Sequence, residues 1–448
     1  MYQDLNFEPD MPPSLPDEAY ASEFEDYGRH EQTGGETQGP CDLSPTPWRR
    51  NVPPPRQWLY GYHLQRRMLS GTISPGGIGK SSLALVDALS MVTGRKRLHS
   101  WVHSREGLRV WYWCGEDPVE EISRRLEAAC IHYGISDDEI GGRLCVDSGR
   151  DQPIKIATAD REGVKIARPV VAELVAQMRA LRIDVLIIDP FITCHSVPEN
   201  DNVAMNAVID AWRDVANQTN AAIELIHHTA KAGTGDSIND GRGASAFRDG
   251  IRAGRVLAPM SFEEGERMGL TPAETARIFR SLDGAKPNMS ARGAGFTWYR
   301  METVTLNNPT PAYPEGDEIG VCTAWTPPDA FEGVKLDDLR QVQDAIAARE
   351  TPPAKAITSR EWVGYVVADT LGLDVGEPGT TKDQQSPDQK AARTRVGSMI
   401  NTWLRNGALR VETVRSPRDG RDKQQIVVGI PAGDHNETYP QSPQLSAE

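Results

Sequence analysis

Ser74-Pro75-Gly76-Gly77-Ile78-Gly79-Lys80-Ser81-Ser82 is the stretch that decides the fold. An apolar run at 68–73 precedes it, and Leu83, Val86 and Leu89 follow it at helical spacing. A strand, a glycine-rich turn and a helix in this order are typical of a phosphate-binding loop. There, backbone N–H groups and the positive end of the helix hold the phosphates. The stretch therefore predicts a nucleotide site.

The nine residues of this loop are all expected to touch the nucleotide. Lys80 should reach the β- and γ-phosphates of ATP, and the Ser81 hydroxyl should bind Mg²⁺. The usual pattern has a glycine where this chain has Ser74. The alternative interpretation is an ordinary glycine-rich turn before a helix, and the strand-to-helix context argues against it.

Length and charge indicate two or three domains in an acidic chain. The chain has 448 residues and a formal net charge of −14. Residues 1–40 hold ten Asp or Glu against one basic residue, Arg29. We interpret residues 1–50 as a disordered acidic tail and linker.

Other features argue against membrane and metal-scaffold classes. No apolar run approaches the roughly 18 residues of a membrane span, and the N-terminus lacks a signal sequence. The six cysteines show no Cys-x-x-Cys spacing, which argues against structural zinc and against a disulfide framework. The expectation is a cytoplasmic protein without a membrane partner.

Strands that alternate with helices predict the fold class over residues 51–312. The aliphatic run 183–188 is typical of a central parallel strand buried on both faces, and 221–226 is a similar run. The pattern predicts a doubly wound α/β domain with a mostly parallel sheet, in which ligands bind at the carboxyl ends of strands. Residues 147–168 are polar, and we expect them to be irregular.

The C-terminal part changes character. Residues 313–332 are predicted as a linker, and 333–432 as a small α+β domain in which helices precede a hairpin with a charged tip, the layout of a winged helix. Residues 381–425 hold ten Lys or Arg against five Asp or Glu, which indicates a nucleic-acid-binding face. A dimerisation or protein-docking module is the alternative. Residues 433–448 are expected to form a disordered tail.

Candidate catalytic residues lie after three predicted strands. Asp189 ends an aliphatic strand and is expected to hold Mg²⁺ opposite Ser81, although an Asp there could instead cap the next turn. Glu116 is the candidate that orients or deprotonates the attacking water. His228, beside His227, is the candidate γ-phosphate sensor, with a histidine of purely structural role as the alternative.

The segment 241–252 carries three arginines among small residues. One of them could act as an arginine finger that reaches into the site of a neighbouring subunit and stabilises charge on the transferred phosphoryl group. We rank Arg252 first and Arg242 second. A surface arginine is the alternative for each.

Taken in order, these motifs resemble a known family. Over about residues 50–310 the chain is similar to the RepA-type branch of the RecA-like hexameric helicase ATPases. The similarity lies in the phosphate loop, Glu116-Asp117, the strand ending in Asp189-Pro190, His227-His228-Thr229-Ala230-Lys231 and the 242–252 segment. The resemblance implies a RecA-like P-loop NTPase core in a hexameric ring. ATP would bind between subunits, with Glu116 as catalytic base, His228 as sensor and Arg252 as the finger given in trans.

The first hypothesis that follows is an ATP-driven motor on single-stranded DNA, a RepA-like replicative helicase or helicase-like ATPase. Loops 191–202 and 231–240 would line the ring, with Lys231 as the one named DNA contact. An ATP-gated replication initiator or regulator that holds duplex DNA through the C-terminal domain is the second hypothesis. A RecA-like recombination or loading factor is the third, and a metabolic kinase ranks last.

Overall fold

The computed structural model describes residues 46–161, 163–228, 245–268, 270–282, 296–381, 384–415 and 422–432. Its strands, in chain order, are β1 (Trp58–Tyr60), β2 (Leu64–Gln65), β3 (Leu69–Ser74), β4 (Val110–Cys114), β5 (Leu144–Ser148), β6 (Ala157–Asp160), β7 (Gly163–Ile166), β8 (Val185–Asp189), β9 (His195–Ser196), β10 (Ala222–His228), β11 (Ala253–Pro259), β12 (Ile278–Leu282), β13 (Thr297–Thr305), β14 (Glu318–Trp325), β15 (Leu409–Arg415) and β16 (Asp422–Val428).

The helices of the same residues are α1 (Lys80–Thr93), α2 (Val119–Tyr133), α3 (Asp137–Ile140), α4 (Arg168–Ala180), α5 (Asn202–Thr219), α6 (Ser245–Gly250), α7 (Phe262–Arg267), α8 (Pro272–Thr275), α9 (Leu336–Ala347), α10 (Val363–Leu371) and α11 (Pro387–Arg405). A short 3₁₀ helix spans Phe191–Cys194. No helix among the described residues is long and apolar enough to cross a membrane.

The central sheet has nine strands in the order β5-β4-β8-β10-β3-β11-β12-β13-β14. The first six are parallel, and the last three add on antiparallel. Because β10 lies between β3 and β8, the carboxyl ends of these three strands meet at one edge. The sequence prediction of a mostly parallel α/β sheet is confirmed.

Each face of this sheet carries its own apolar core, which explains the nearly continuous aliphatic run of β8. Val185 and Ile187 pack against α1 and α2 on one face, whereas Leu186 and Ile188 pack on the opposite face with residues of α4 and α5. Side chains alternate along a strand, so a strand covered on both faces is apolar at every position. The phosphate-loop edge therefore rests on a rigid support.

A buried charge network ties α1 to the sheet. Arg255 of β11 pairs with Asp87 of α1 at 2.8 Å and donates to Thr72 of β3 at 2.6 Å. Thr72 in turn bonds Glu224 of β10, whose other carboxylate oxygen lies 2.7 Å from Nε2 of His63. All of the linked side chains on α1, β3, β10 and β11 are at least nine-tenths buried, so the network joins the phosphate-loop helix to three adjacent strands.

The structure differs from the sequence predictions in two regions. Residues 147–168 are not irregular throughout, because β6 and β7 form a hairpin there and β6 also pairs with β9. Residues 313–332 contain β14, which pairs with β13 over eight positions, where the sequence predicts a linker. The prolines and most of the acids that suggested a linker flank the strand, at 314–317 and at 327–329, and the strand itself is partly buried.

The C-terminal part is a separate apolar unit built from α9, α10, α11 and the antiparallel β15-β16 ribbon. Val396, Met399 and Trp403 of α11 form the stripe that the sequence predicted, and Val342 and Val363 pack against it from α9 and α10. The hairpin tip at 416–421, the acidic segment 1–45 and the tail 433–448 lie outside the described residues.

Candidate active site

The phosphate loop joins the end of β3 to the start of α1. Gly79 is the N-cap of α1 and has φ 106°, a left-handed conformation that glycine adopts without strain. A Cβ at Gly79 would also lie 2.8 Å from Sδ of Met301 on β13. Glycine is therefore required here by both backbone conformation and packing.

Ser74 explains why the chain can depart from the usual glycine at this position. It is the last residue of β3, is fully buried, and is not among the described residues that have positive φ. Its hydroxyl donates to the Pro75 carbonyl oxygen at 2.8 Å. A serine fits because the backbone is still extended at this point.

Lys80 is the centre of the site. Only 5% of the residue is exposed, and its ammonium donates to the Pro75 carbonyl at 2.9 Å and lies 3.0 Å from Nδ1 of His228. Burial lowers the pKa of Lys80 to about 8, against the opposing pull of the Asp189 and Glu116 carboxylates. A buried ammonium whose bonding partners are neutral is suited to an anionic ligand.

His228 ends β10 between the loop and Asp189. Register pairs it with Ser74, which places the imidazole beside the phosphate loop. Burial and the neighbouring Lys80 lower the pKa of His228. An ammonium can only donate, so Nδ1 of a neutral ring accepts this hydrogen bond and the proton of the ring sits on Nε2.

Asp189 lies at the carboxyl end of β8 and is 2% exposed. The Tyr112 hydroxyl, from the adjacent β4, donates to Oδ2 of Asp189 at 2.6 Å. Sequence reasoning missed Tyr112. Its signal is the alternation in the Trp-Tyr-Trp strand, which turns Trp111 and Trp113 to one face and Tyr112 to the other.

Glu116 and Asp117 both follow β4, but their side chains have different surroundings. Glu116 is exposed, and its negative charge is close enough to oppose, in part, the lowering of the pKa values of Lys80 and His228 by burial. Asp117 pairs with Arg125 of α2 at 2.7 Å, while the N-cap of α2 is Pro118. Asp117 is thus held by an ion pair and does not cap the helix, whereas Glu116 remains beside the loop.

Ser81 and Ser82 occupy the first turn of α1. The Ser82 hydroxyl accepts from the Cys322 N–H at 2.8 Å and donates to the Gly320 carbonyl at 3.2 Å, so this side chain binds β14 and not the loop. Ile78 packs on the apolar core below the loop. Gly76 and Gly77 are exposed at the loop tip.

Arg252 lies at the opposite edge of the sheet. Its N–H donates to the carbonyl of Leu69 at 2.8 Å, at the first residue of β3, and its side chain is exposed. Five strand residues separate Leu69 from the loop, a distance of about 16 Å. The structure thus does not bring Arg252 into the nucleotide site of its own chain. Arg242 and Lys231 lie outside the described residues.

His227 faces away from the loop. Its ring stacks on Phe247 of α6 with centroids 4.8 Å apart, and Phe191 meets it edge-on at 6.1 Å. Burial lowers the pKa of His227 to about 4. The pair His227-His228 therefore joins the phosphate loop to the segment after β8 and to the helix that leads to Arg252.

The residues present fit a nucleotide with a divalent cation. The loop offers a helix N-terminus and the buried Lys80 ammonium, and Asp189 offers a carboxylate already oriented by Tyr112. Ser81 stands next to Lys80 at the start of α1. These residues would hold the phosphates and Mg²⁺.

Residues 38–234 match the family model described as an AAA domain. This segment holds the phosphate loop, Glu116, Asp189 and His228, so the candidate site lies within the part of the chain that is similar to AAA domains. The match covers less than half of the chain.

Two solved structures show remote likeness. The ATPase domain of G40P is 12% identical, with a TM-score of 0.36, and the match covers 52% of this chain and 81% of that one. The RadB recombinase is 14% identical, with a TM-score of 0.34, and the match covers 53% of this chain and 88% of that one.

Proposed function

We propose that this chain is an ATP-hydrolysing motor on single-stranded DNA, a RepA-like helicase or helicase-like ATPase that assembles as a homohexamer. The observation that carries the ATPase part is the contact of the buried Lys80 ammonium with His228, beside Asp189. The DNA and ring assignments rest on the order of motifs that resembles the RepA-type helicases.

Each residue of the site would have a separate role in ATP hydrolysis. Lys80 and the loop amides bind the phosphates, and Ser81 and Asp189 bind Mg²⁺, which neutralises charge that develops during phosphoryl transfer. Glu116 orients the attacking water and accepts its proton. His228 then changes its hydrogen bond with Lys80 when the γ-phosphate leaves, and β10 carries that change to the neighbouring loops.

Arg252 would complete the site of a neighbouring subunit. Its exposure and its place about 16 Å from the loop of its own chain are compatible with a role in trans. A chain that needs a neighbour to finish its active site should hydrolyse ATP in proportion to its assembly.

The C-terminal unit supports a second candidate function, an ATP-gated DNA-binding initiator or regulator. Three helices and an antiparallel ribbon, with Arg410 exposed on the ribbon, suit a winged helix that holds duplex DNA. In that case the ATPase core would switch assembly instead of driving movement. A RecA-like recombination or loading factor is a third candidate.

ATP hydrolysis by the full chain, measured with and without single-stranded DNA, tests the proposal. The same samples are analysed for assembly state, beside Lys80→Ala. Strong stimulation by single strands in a hexamer-sized species supports the motor. Hydrolysis that ignores single strands, together with tight duplex binding, would overturn it in favour of the regulator. Strand exchange without unwinding would favour the recombination factor.

A further inference from the structure

Residues 43–105 differ in charge from the rest of this acidic chain. They contain nine Lys or Arg besides the buried Lys80 of the phosphate loop, and one acidic residue, Asp87. Asp87 is buried and paired with Arg255, so it does not offset the basic residues at the surface. This part of the chain holds a concentrated positive charge within a protein whose net charge is −14.

The same part exposes a cluster of aromatic rings. The ring of Tyr62 meets those of Trp58 and Trp101 edge to face, with centroids 5.5 Å and 5.6 Å away, and Trp101 in turn donates from Nε1 to His103 at 3.0 Å. Tyr62 is 58% exposed and Trp101 41%. Large rings that could pack inside the domain are instead presented to solvent.

Backbone contacts hold this cluster in place. Tyr60 and Val102 form an antiparallel bridge, and the Gly61 N–H donates to the Trp101 carbonyl at 2.9 Å. Gly61 has φ 48°, and a Cβ there would meet Oγ of Ser100 at 3.0 Å, so glycine permits the close approach. These backbone contacts fix the positions of the Trp58, Tyr62 and Trp101 rings, which together are called the aromatic platform.

Several cations around the platform carry no ion pair within the described part of the chain. Arg56 precedes the strand that carries Trp58, Arg105 follows His103, and Lys96 lies beside the Gly94–Arg105 contact. All three side chains are exposed. Arg66 and Arg95, by contrast, pair with Asp184 and Glu139. The unpaired cations leave positive charge available to a ligand.

We propose that this surface, formed by Trp58, Tyr62, Trp101, His103, Arg56, Lys96 and Arg105, binds single-stranded nucleic acid. Bases would stack on the exposed Tyr62 and Trp101 rings, and the cations would contact the phosphates. The proposal rests on the proposed function and names a DNA contact outside the loops at 191–202 and 231–240.

The choice of a single strand follows from the combination of ring and charge. A duplex buries the faces of its bases, so it would use the cations but not the exposed rings. The surface lies beyond the C-terminal end of α1, which spans about 21 Å from the phosphate loop, so substitutions here leave the nucleotide contacts of Lys80 untouched.

The test is fluorescence anisotropy of the full-length protein with three labelled 20-mers: oligo-dT, an abasic strand and a duplex. The aromatic variant is Tyr62→Ala with Trp101→Ala, and the charge variant is Arg56→Gln with Arg105→Gln. Tyr313→Ala and Arg277→Gln are matched controls, because both residues are exposed in turns that flank the antiparallel strands β12 to β14 and neither belongs to this surface. Thermal melting checks that every variant is folded.

We expect the aromatic variant to bind oligo-dT about 5- to 100-fold more weakly and to lose the preference for oligo-dT over the abasic strand. The charge variant should reduce the slope of log affinity against log salt by about 1.4, at 0.7 per contact. Both controls should bind like the wild type.

If the wild type binds oligo-dT and neither variant weakens that binding, this surface is not the binding site, whereas the proposed DNA motor is unaffected. Equal affinity of the wild type for the abasic strand would overturn the stacking contact. If the wild type binds no single strand while it still hydrolyses ATP, the single-strand part of the proposed function fails, and this surface fails with it.

Discussion

Nζ of Lys80 lies 3.0 Å from Nδ1 of His228. His228 ends β10, the strand that lies between β3, which leads into the phosphate loop, and β8, which ends in Asp189. The contact links the group that should hold the γ-phosphate to the end of a central strand. Two of the three N–H donors of the ammonium are directed to the Pro75 carbonyl and to His228, so a bound phosphate would either take the third donor or displace the imidazole.

Nucleotide binding should take up a proton at alkaline pH. Burial lowers the pKa of Lys80 to about 8 in the free protein, and a bound triphosphate should raise it again. Between the two values, binding converts a neutral amine into an ammonium. Calorimetric titration with ATP at pH 8.5 in two buffers of different ionisation enthalpy should show uptake of up to about one proton. Identical heats in the two buffers would contradict the prediction, and Lys80→Arg, whose guanidinium stays charged, should abolish the difference.

Glu116→Gln should retain ATP binding and lose hydrolysis by about 10²–10⁴-fold, because the amide cannot accept the proton of the attacking water. Single-turnover hydrolysis beside nucleotide binding measures both effects. Asp117→Asn is the matched control, since Asp117 pairs with Arg125 and should affect mainly stability. If Asp117→Asn abolished hydrolysis and Glu116→Gln did not, the roles would be reversed.

Arg252→Ala should lower the turnover number by about 10³-fold or more without loss of ATP binding. If Arg252 acts on a neighbour as proposed, mixing Arg252→Ala subunits with Lys80→Ala subunits should restore part of the activity, because some interfaces then pair an intact loop with an intact arginine. Steady-state hydrolysis over a series of mixing ratios measures this. Arg277→Ala, at another exposed site, is the control, and mixtures with no activity above the average of the two parents would exclude a trans role.

The buried network under α1 should be costly to break at one point. Arg255→Leu leaves Asp87 buried without its cation and should lower the free energy of unfolding by about 3–5 kcal/mol. Arg255→Leu with Asp87→Leu removes both charges and should recover most of that loss. Urea unfolding followed by core tryptophan fluorescence compares the two. A double variant less stable than the single one would refute the interpretation.

Acid should destabilise the core through its buried histidines. Burial lowers the pKa of both His195 and His227 to about 4, below the ordinary value of 6.5. Between pH 6.5 and about 4 the unfolded chain takes up protons that the folded chain does not. As the pH is lowered through this range, the free energy of unfolding therefore falls by up to about 1.4 kcal/mol per pH unit for each histidine. Above pH 6.5 the stabilising contribution of both neutral histidines is fully present. His227→Phe should flatten this part of the stability profile. An unchanged slope in urea melts from pH 7 to 4.5 would contradict the assignment.

Much of the site is readable from local patterns. Glycines followed by Lys80 and Ser81 predict a phosphate loop, because a tight turn into a helix N-terminus needs only neighbouring residues. The apolar run before Asp189 predicts a strand buried on both faces, and the helix stripe at 396–404 predicts the core of the C-terminal unit.

Other features were hidden because they depend on partners far away in sequence. The prediction that 313–332 is a linker was wrong for β14, whose strand character comes from pairing with β13. Within the 147–168 region, which the sequence predicted as irregular, β6 and β7 form a hairpin for the same reason. Strand pairing is a long-range contact, and local composition carries little of it.

The sequence by itself determined the phosphate loop and the α/β class, and it named Lys80, Glu116 and Asp189 as the predicted site residues, because each of these follows from residue type and short-range spacing. Only the tertiary structure decided that β10 lies between β3 and β8. That order brings His228 to Lys80 and leaves Arg252 at the opposite edge. Strand order is settled by packing of the whole sheet, and no local pattern encodes it.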